Sequence, residues 1–241
     1  MRSPQTSLGI VVAVATCGTV VADILNVPGD FPTLSSAIDA ATDGDEIVLA
    51  PGAYTVDSVM IPPSLASLTI RGDDPANPGT VVIESTPDAS QPALASTATA
   101  LTISGVTLRT IGESPILSVA GTPATITDAR IEGDPTAFEG IAYTGPALAF
   151  ENVALGNGSI VRLLQGMGTT IFNGCTIDDN ARVIIYAREG SLSFSRIEGS
   201  NVALDIVSSE LDHLVFEDSA LALGSGGTFL TFGSADTITI R

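Results

Sequence analysis

The chain has 241 residues and a formal net charge of −18, because Asp and Glu outnumber Lys and Arg by 27 to 9. A surface this acidic repels phosphate backbones and anionic lipid headgroups, which argues against nucleic acid as a partner. The acidity has two candidate explanations. The first is solubility, for example in a salt-rich habitat, and the second is the binding of cations, above all Ca²⁺. The length suits one large domain.

The first 22 residues have the features of a secretory signal peptide. Arg2 provides a positive start, residues 8–21 are apolar, and Ala22 completes a small-residue cleavage site. No later segment reaches about 18 apolar residues in a row, the length that a membrane-spanning helix needs. We therefore expect residues 23–241 to be a secreted or cell-envelope domain, extracellular or periplasmic, without a membrane span.

The two cysteines have different expected fates. Cys17 lies within the signal peptide. Thr16 suits a lipoprotein site poorly, which argues against lipidation of Cys17 without deciding it. After cleavage Cys175 is the remaining cysteine, so no intrachain disulfide can form. Its strand-like surroundings predict a small buried hydrophobic side chain.

A turn-rich lead, a short helix and a strand follow the signal. Thr33 is a suitable N-cap for a helix at residues 34–41, whose apolar positions recur at helical spacing. An Asp-Gly-Asp sequence at 43–45 ends this helix, and residues 46–50 form a strand. The sequence Pro51-Gly52-Ala53-Tyr54 then turns the chain into the next segment.

This stretch resembles the N-terminal region of the pectin-lyase-like right-handed parallel β-helix superfamily. The matching sequence is Val27 to Thr33 (VPGDFPT), Ala37 to Ala41 (AIDAA), Gly44-Asp45, and Ile47 to Tyr54. The resemblance covers about 30 residues and implies a coil whose open end the short helix caps. Members mostly process or bind polysaccharides, so it also implies a polysaccharide or another cell-surface protein as partner.

The rest of the chain repeats with a period of 22 residues. One column of positions consists of Phe150, Phe172, Phe194, Phe216 and Ile238, and a second of Leu163, Ile185, Val207 and Phe229. Such a period predicts a solenoid, in which equivalent residues of successive coils stack. We therefore expect an all-β fold, a right-handed parallel β-helix with a short N-terminal capping helix. The strand pattern continues to Arg241, and we expect the C-terminal coils or cap to be missing.

A polar column recurs at a turn with the same period. Asn157, Asp179 and Asn201 are its members. Such a column predicts a ladder of side-chain hydrogen bonds that satisfies turn backbone groups, with a ligand site as the alternative.

In β-helices of the resembled superfamily, the active face usually belongs to the sheet that follows the longest, most variable turn. Here residues 161–165, 183–187 and 205–209 are its best candidates. If the second column points inward, alternation directs these side chains outward: Arg162, Leu164, Ile184, Tyr186, Ile206 and Ser208. This face would carry no carboxylate, since Asp205 would point inward unless a bulge near Leu204 turned it out.

The densest acidic spot is a turn of Asp178, Asp179 and Asn180, a composition that turns also favour for backbone reasons. The candidate binding residues are Asp178, Asp179, Asn180, Arg162, Tyr186 and Arg188, with no catalytic residue assigned. Asp178 and Asp179 are weak Ca²⁺ candidates, and no other cofactor is expected.

The remaining ionisable candidates point to structural roles. His213 is the single histidine, which makes neither a zinc cluster nor a triad, and we expect it to be solvated in a turn. Arg188 and Glu210 are expected to pair across coils on the surface.

Two hypotheses of function remain. The first is a structural or binding module that contacts extracellular polysaccharide. The alternative is a polysaccharide-active lyase or glycoside hydrolase whose site is lost or lies in missing coils. Few aromatic residues are left for a sugar-binding face, since the chain has no Trp and its Phe residues are mostly assigned to the core.

Overall fold

A computed structural model of the chain describes residues 22–86, 91–97, 99–112, 114–133, 140–156, 160–165, 168–178, 181–187, 189–208, 211–223, 231–232 and 235–240. Within this part the chain winds into a parallel β-helix with a single α-helix, Leu34–Ala40 (α1), and a short 3₁₀ turn at Pro78–Thr80. The predicted fold class is confirmed. None of the described helices is long and apolar enough to cross a membrane.

Three parallel sheets run along the coil, and each turn of chain visits them in the order A, B, C. Sheet A contains ten strands in the described part, each hydrogen-bonded to the next. They are β1 Ile24–Val27, β2 Glu46–Leu49, β5 Ser67–Gly72, β8 Ala100–Ser104, β11 Ala124–Thr127, β14 Ala147–Glu151, β17 Thr169–Asn173, β20 Ser191–Ser195, β22 Leu211–Glu217 and β25 Ala235–Ile240.

Sheets B and C contain the other strands and share one of them, β21, which spans Glu198–Ser208. Sheet B consists of β3 Gly52–Val56, β6 Val81–Ser85, β9 Thr107–Arg109, β12 Arg130–Glu132, β15 Ala154–Gly156, β18 Thr176–Ile177, the start of β21, and β23 Ala220–Leu223. Sheet C consists of β4 Val59–Met60, β7 Leu94–Ser96, β10 Leu117–Ala120, β13 Ile141–Thr144, β16 Ile160–Gln165, β19 Arg182–Ala187, the end of β21, and β24 Thr231–Phe232.

The first predicted column forms the core face of sheet A. Its four phenylalanine rings stack in sequence, from Phe150 through Phe172 and Phe194 to Phe216. Successive ring centroids are 4.7, 4.8 and 4.5 Å apart, and the ring planes are within 11° of parallel. The pairing register extends the column over all ten strands, through Leu25, Ile47, Ile70, Ile103, Ile126, Phe150, Phe172, Phe194, Phe216 and Ile240. The prediction that Ile238 follows Phe216 in this column was wrong, since Ile238 pairs with Leu214 and Ile240 pairs with Phe216. The last coil is two residues longer than the period.

The second predicted column fails at its third member. Leu163 pairs with Ile185, but Ile185 pairs with Ile206 rather than Val207. Ile206 is fully buried and Val207 is 38% exposed. The strand β21 passes from sheet B to sheet C in one residue fewer than the coil before, and a slip of one residue exchanges the two faces of a strand. Phe229 lies outside the described residues.

The turns from sheet A to sheet B share one backbone shape. The residue two positions beyond the core column has a positive φ at Gly105, Asp128, Asn152, Gly174, Arg196 and Asp218. This left-handed conformation is easiest for Gly, Asn and Asp, which fill five of the six places. Asn152 Nδ2 also donates to Asp128 Oδ1 at 3.2 Å, so neighbouring turns are linked along the rod.

The helix α1 covers the open end of the first coil. Thr33 and Ser36 form a capping box, and α1 buries Leu34, Ala37 and Ile38 against the core. The helix ends one residue before the predicted boundary, because Ala41 is extended.

A buried carboxylate secures the junction between α1 and the first coil. Asp45 accepts hydrogen bonds from Asp23 N at 2.8 Å, Thr42 N at 2.7 Å and Thr42 Oγ1 at 3.0 Å. Burial by itself raises the pKa of Asp45, but these hydrogen bonds outweigh it and hold the pKa below its ordinary value of 3.8. Asp45 of the Gly44-Asp45 motif therefore has a structural role, because it holds Asp23 and Thr42 together.

Candidate functional site

The candidate binding residues do not converge on one spot. Asp178 follows the end of β18 in sheet B, whereas Tyr186 lies on the outer face of β19 in sheet C. Arg162 stands in β16 opposite Ile184, and its side chain is outside the described part. Asp179, Asn180 and Arg188 lie outside the described residues, as do Asn157 and Glu210. The predicted Arg188–Glu210 pair and the polar column therefore stay predictions.

Asp178 forms an ion pair that the sequence analysis did not anticipate. Arg130 Nη1 lies 2.5 Å from Asp178 Oδ2, although the two residues are 48 positions apart. The strand β15 lies between the strands of these two residues, and it places Ala154 and Gly156 between their side chains. Because both are small, the guanidinium can reach across a whole coil. Asp178 thus has a structural partner, and its availability to a cation is correspondingly reduced.

Gly156 also determines where the turn after β18 can lie. It has a φ of +120°, and a Cβ built on it would lie 2.3 Å from the Cβ of Ala181. The turn closes with a hydrogen bond from Ala181 N to Asp178 O at 3.0 Å. Ala181, at the end of this turn, is therefore packed against the preceding coil, at a position that requires glycine.

A ladder of alternating charges crosses sheet B. Arg109 Nε donates to Glu132 Oε2 at 2.8 Å, and Arg109 Nη1 lies 3.4 Å from Glu84 Oε2. The hydrogen bond to Glu132 raises the pKa of Arg109, in spite of partial burial that lowers it. The signal was available in the sequence, because these residues are 25 and 23 positions apart with alternating sign. Partly exposed pairs of this kind add about 0–1 kcal/mol each to stability.

The outer face of sheet C does carry a carboxylate, which corrects the prediction. Asp205 pairs in register with Ile184, on the face opposite to that of the buried Ile185 and Ile206. Arg182 Nε donates to Asp205 Oδ2 at 2.7 Å, and Arg182 Nη2 lies 2.6 Å from the same oxygen. The same one-residue slip that exposes Val207 moves Asp205 to the outer face, where the residue stays buried at 6% exposure.

Each arginine side chain that the structure describes is engaged with an oxygen of the chain. Four of the five contact carboxylates, and Arg196 donates to Asn173 Oδ1 at 2.6 Å. The carboxylate pairs are Arg71–Glu46, Arg109–Glu84 and Glu132, Arg130–Asp178, and Arg182–Asp205. The sequence contains no lysine. Among the described residues, no group of three or more His, Cys, Asp or Glu side chains could hold a metal ion.

His213 and Cys175 have structural surroundings. His213 is exposed, as predicted, but it lies in the strand β22 rather than in a turn. Cys175 is buried as predicted, and burial raises the pKa of its thiol, which disfavours the reactive thiolate.

One concavity of ligand size lies beside the capping helix. It has a volume of about 350 Å³ and lies between the start of α1 and the strand β3. Tyr54 lines it, and its hydroxyl donates to Ala50 O at 2.7 Å, with Val27 O also within 3.1 Å. Burial raises the pKa of Tyr54 above its usual value. The phenol is therefore committed to holding the first coil and is a poor proton donor for chemistry.

Comparison with solved structures found a chain of similar fold. No protein-family model matches the chain, and no curated protein matches it. The chain is similar to a solved structure of a PL6 family alginate lyase, AlyGC, with a TM-score of 0.49 and 11% sequence identity. The match covers 91% of this chain and 40% of that one, so the chain spans less than half the length of that lyase.

Proposed function

We propose that this protein is an exported, rigid β-helix module that binds polysaccharide on its outer surface without cleaving it. The resemblance of the N-terminal unit to the pectin-lyase-like superfamily supports polysaccharide as the partner class. The observation that carries the non-catalytic assignment is the mutual engagement of charged side chains. Each described guanidinium already contacts an acidic or amide oxygen of the chain.

Chemistry on polysaccharides needs charged groups that are directed at the substrate. A hydrolase requires two carboxylates that flank one glycosidic bond, one as an acid and the other as a base or nucleophile. Asp178 and Asp205 instead each accept from an arginine, and they belong to different sheets. A lyase requires a base and a group that neutralises the sugar carboxylate. An arginine that is already paired serves these roles poorly.

The test combines binding with turnover. The purified chain is incubated with neutral and anionic polysaccharides, with Ca²⁺ and with a chelator. Binding is followed by affinity gel electrophoresis, and cleavage by reducing ends and by the absorbance of unsaturated products. We expect retarded migration with at least one polysaccharide and no products. Products that accumulate with enzyme concentration would overturn the proposal.

A second candidate, a polysaccharide-active enzyme, is favoured by the slip in β21. It brings the carboxylate of Asp205 to the outer face of sheet C, beside the strand that carries Arg182 and Tyr186. If this face is catalytic, Asp205→Asn abolishes product formation and Asp178→Asn preserves it. The opposite pattern would place activity at the turn after β18, where the Ca²⁺ candidates lie.

Export rests on the first 22 residues, which lie almost wholly outside the described part. We propose cleavage after Ala22, one residue before the described strand β1 begins at Ile24. Expression of the whole chain followed by N-terminal sequencing of the protein in the medium or envelope tests this. A first residue other than Asp23 would contradict the proposed site.

A further inference from the structure

One column of outward side chains runs along sheet C with no charge in it. We call it the neutral strip. Successive strands place its members side by side in register, and each follows an inward-facing core residue. The neutral strip consists of Met60, Ala95, Ser118, Ala142, Tyr186 and Val207, with Leu164 at the register position between Ala142 and Tyr186.

The neutral strip holds two of the four large apolar side chains that are most exposed among the described residues. Met60 is 53% exposed at one end and Val207 is 38% exposed at the other. Ala95, Ser118 and Tyr186 between them are partly exposed. Met60 and Val207 stand at opposite ends of the row, and the partly exposed side chains between them are small or aromatic and uncharged, so the strip presents one uncharged line of side chains along the rod.

The neutral strip contrasts with the other outward columns, including the positions beside it on sheet C, where Arg182 and Asp205 are paired with each other. The outward columns of sheet A contain Glu46, Arg71, Glu151 and Glu217, and sheet B carries the ladder of Glu84, Arg109 and Glu132. The whole chain has a net charge of −18. An anionic polymer is therefore repelled at long range, and the described arginines are already engaged. An uncharged polymer meets neither obstacle at the neutral strip.

The dimensions of the strip limit its occupant. Its seven positions span six strand spacings of about 4.8 Å, or about 29 Å, and one column is about 7 Å wide along the strand. The resulting area of about 200 Å² is far below the roughly 800 Å² per partner that a stable protein interface buries. Two copies of so acidic a chain also repel each other. The strip suits a single linear chain lying along the rod axis.

We propose that the neutral strip binds one chain of a neutral polysaccharide, whose sugar rings lie across successive strands. This inference rests on the proposed polysaccharide-binding function and specifies its ligand class and location. Met60, Tyr186 and Val207 contact the apolar faces of the sugar rings, and Ser118 offers a hydroxyl for hydrogen bonding. The acidic surroundings exclude polyuronates from the same surface.

The experiment adds one charge to the strip and compares it with the same change elsewhere. Val207→Asp lies on the strip, and Val215→Asp lies on the outer face of sheet A, in β22. Met60→Asp tests the far end. Dissociation constants are measured by affinity electrophoresis and calorimetry for neutral glucans, mannans and xylans, and for pectate and alginate. Thermal unfolding checks that each variant is folded.

We expect a neutral polysaccharide to bind, with Val207→Asp and Met60→Asp each weakening it at least tenfold and Val215→Asp leaving it within twofold. Selective binding of pectate or alginate, or equal effects of the two valine variants, would overturn the inference while the proposed function stands. Concentration-dependent dimerisation that Val207→Asp abolishes would make the strip a self-contact and also overturn it. Binding of no polysaccharide at all would remove the proposed function itself.

Discussion

The stacked phenylalanines allow the contribution of ring stacking to be separated from that of burial. Phe172 and Phe194 each stack on two rings, whereas Phe150 stacks only on Phe172 and has Ile126 as its other neighbour in the column. Phe150 and Phe172 are both fully buried, and Phe194 is nearly so. Replacing any of them by Leu therefore removes a similar apolar volume, and the variants differ mainly in the number of ring pairs lost.

The expected difference follows from the number of pairs. A change of Phe to Leu also carries a transfer and cavity cost that is similar at the three positions, because the three side chains are buried to nearly the same extent. Each stacked pair adds about 0.5–1.5 kcal/mol beyond burial. We therefore expect Phe172→Leu and Phe194→Leu to lower the free energy of unfolding by about 1 kcal/mol more than Phe150→Leu does.

Urea unfolding followed by far-ultraviolet circular dichroism measures this difference. With a slope of about 2 kcal/mol per molar urea, 1 kcal/mol corresponds to a difference of about 0.5 M between midpoints. The comparison holds when the three variants have equal slopes, because a solenoid can lose cooperativity between repeats. Equal midpoints for Phe150→Leu and Phe172→Leu would refute the reasoning, since burial alone would then account for the column.

Three other changes test particular contacts. Thr170→Val should raise the free energy of unfolding by about 1 kcal/mol, measured as a higher urea midpoint, because its buried hydroxyl lacks a partner and it lines a cavity of about 10 Å³. Gly156→Ala should lower stability by about 3 kcal/mol through overlap with Ala181, whereas Gly79→Ala, with open space around it, should change the midpoint little. The contribution of Asp45 is complete above pH 3.8 and disappears as the pH falls through its lower folded value, so Asp45→Asn should reduce stability at neutral pH and flatten the acid limb of the stability profile. An unchanged acid limb would contradict the role of that carboxylate.

The paired arginines give the outer surface a structural explanation that competes with a catalytic one. Arg130 and Asp178 join three successive coils, and Arg109 links Glu84 to Glu132 across three coils, the last of which also carries Arg130. These contacts fix neighbouring coils at the same side of the rod. In a fold whose repeats touch only their neighbours, such contacts between coils help to maintain the stacking.

The sequence by itself determined the repeat, the core column and the capping helix. Phe150 to Phe216 recur at equal intervals, and equal coils place equal positions in line, so the column required no knowledge of distant contacts. The helix followed from Thr33 and the helical spacing of apolar residues, which are local signals. These features depend only on backbone geometry and the burial of apolar side chains.

The tertiary structure alone decided which polar side chains meet and which face they occupy. The partner of Asp178 is Arg130, 48 residues away, and the contact depends on a glycine in the coil between them. The outward position of Asp205 depends on a coil that is one residue short, which a 22-residue period conceals. Strand alternation converts that single residue into an exchange of faces, so a small change of length decides which face of the strand a carboxylate occupies.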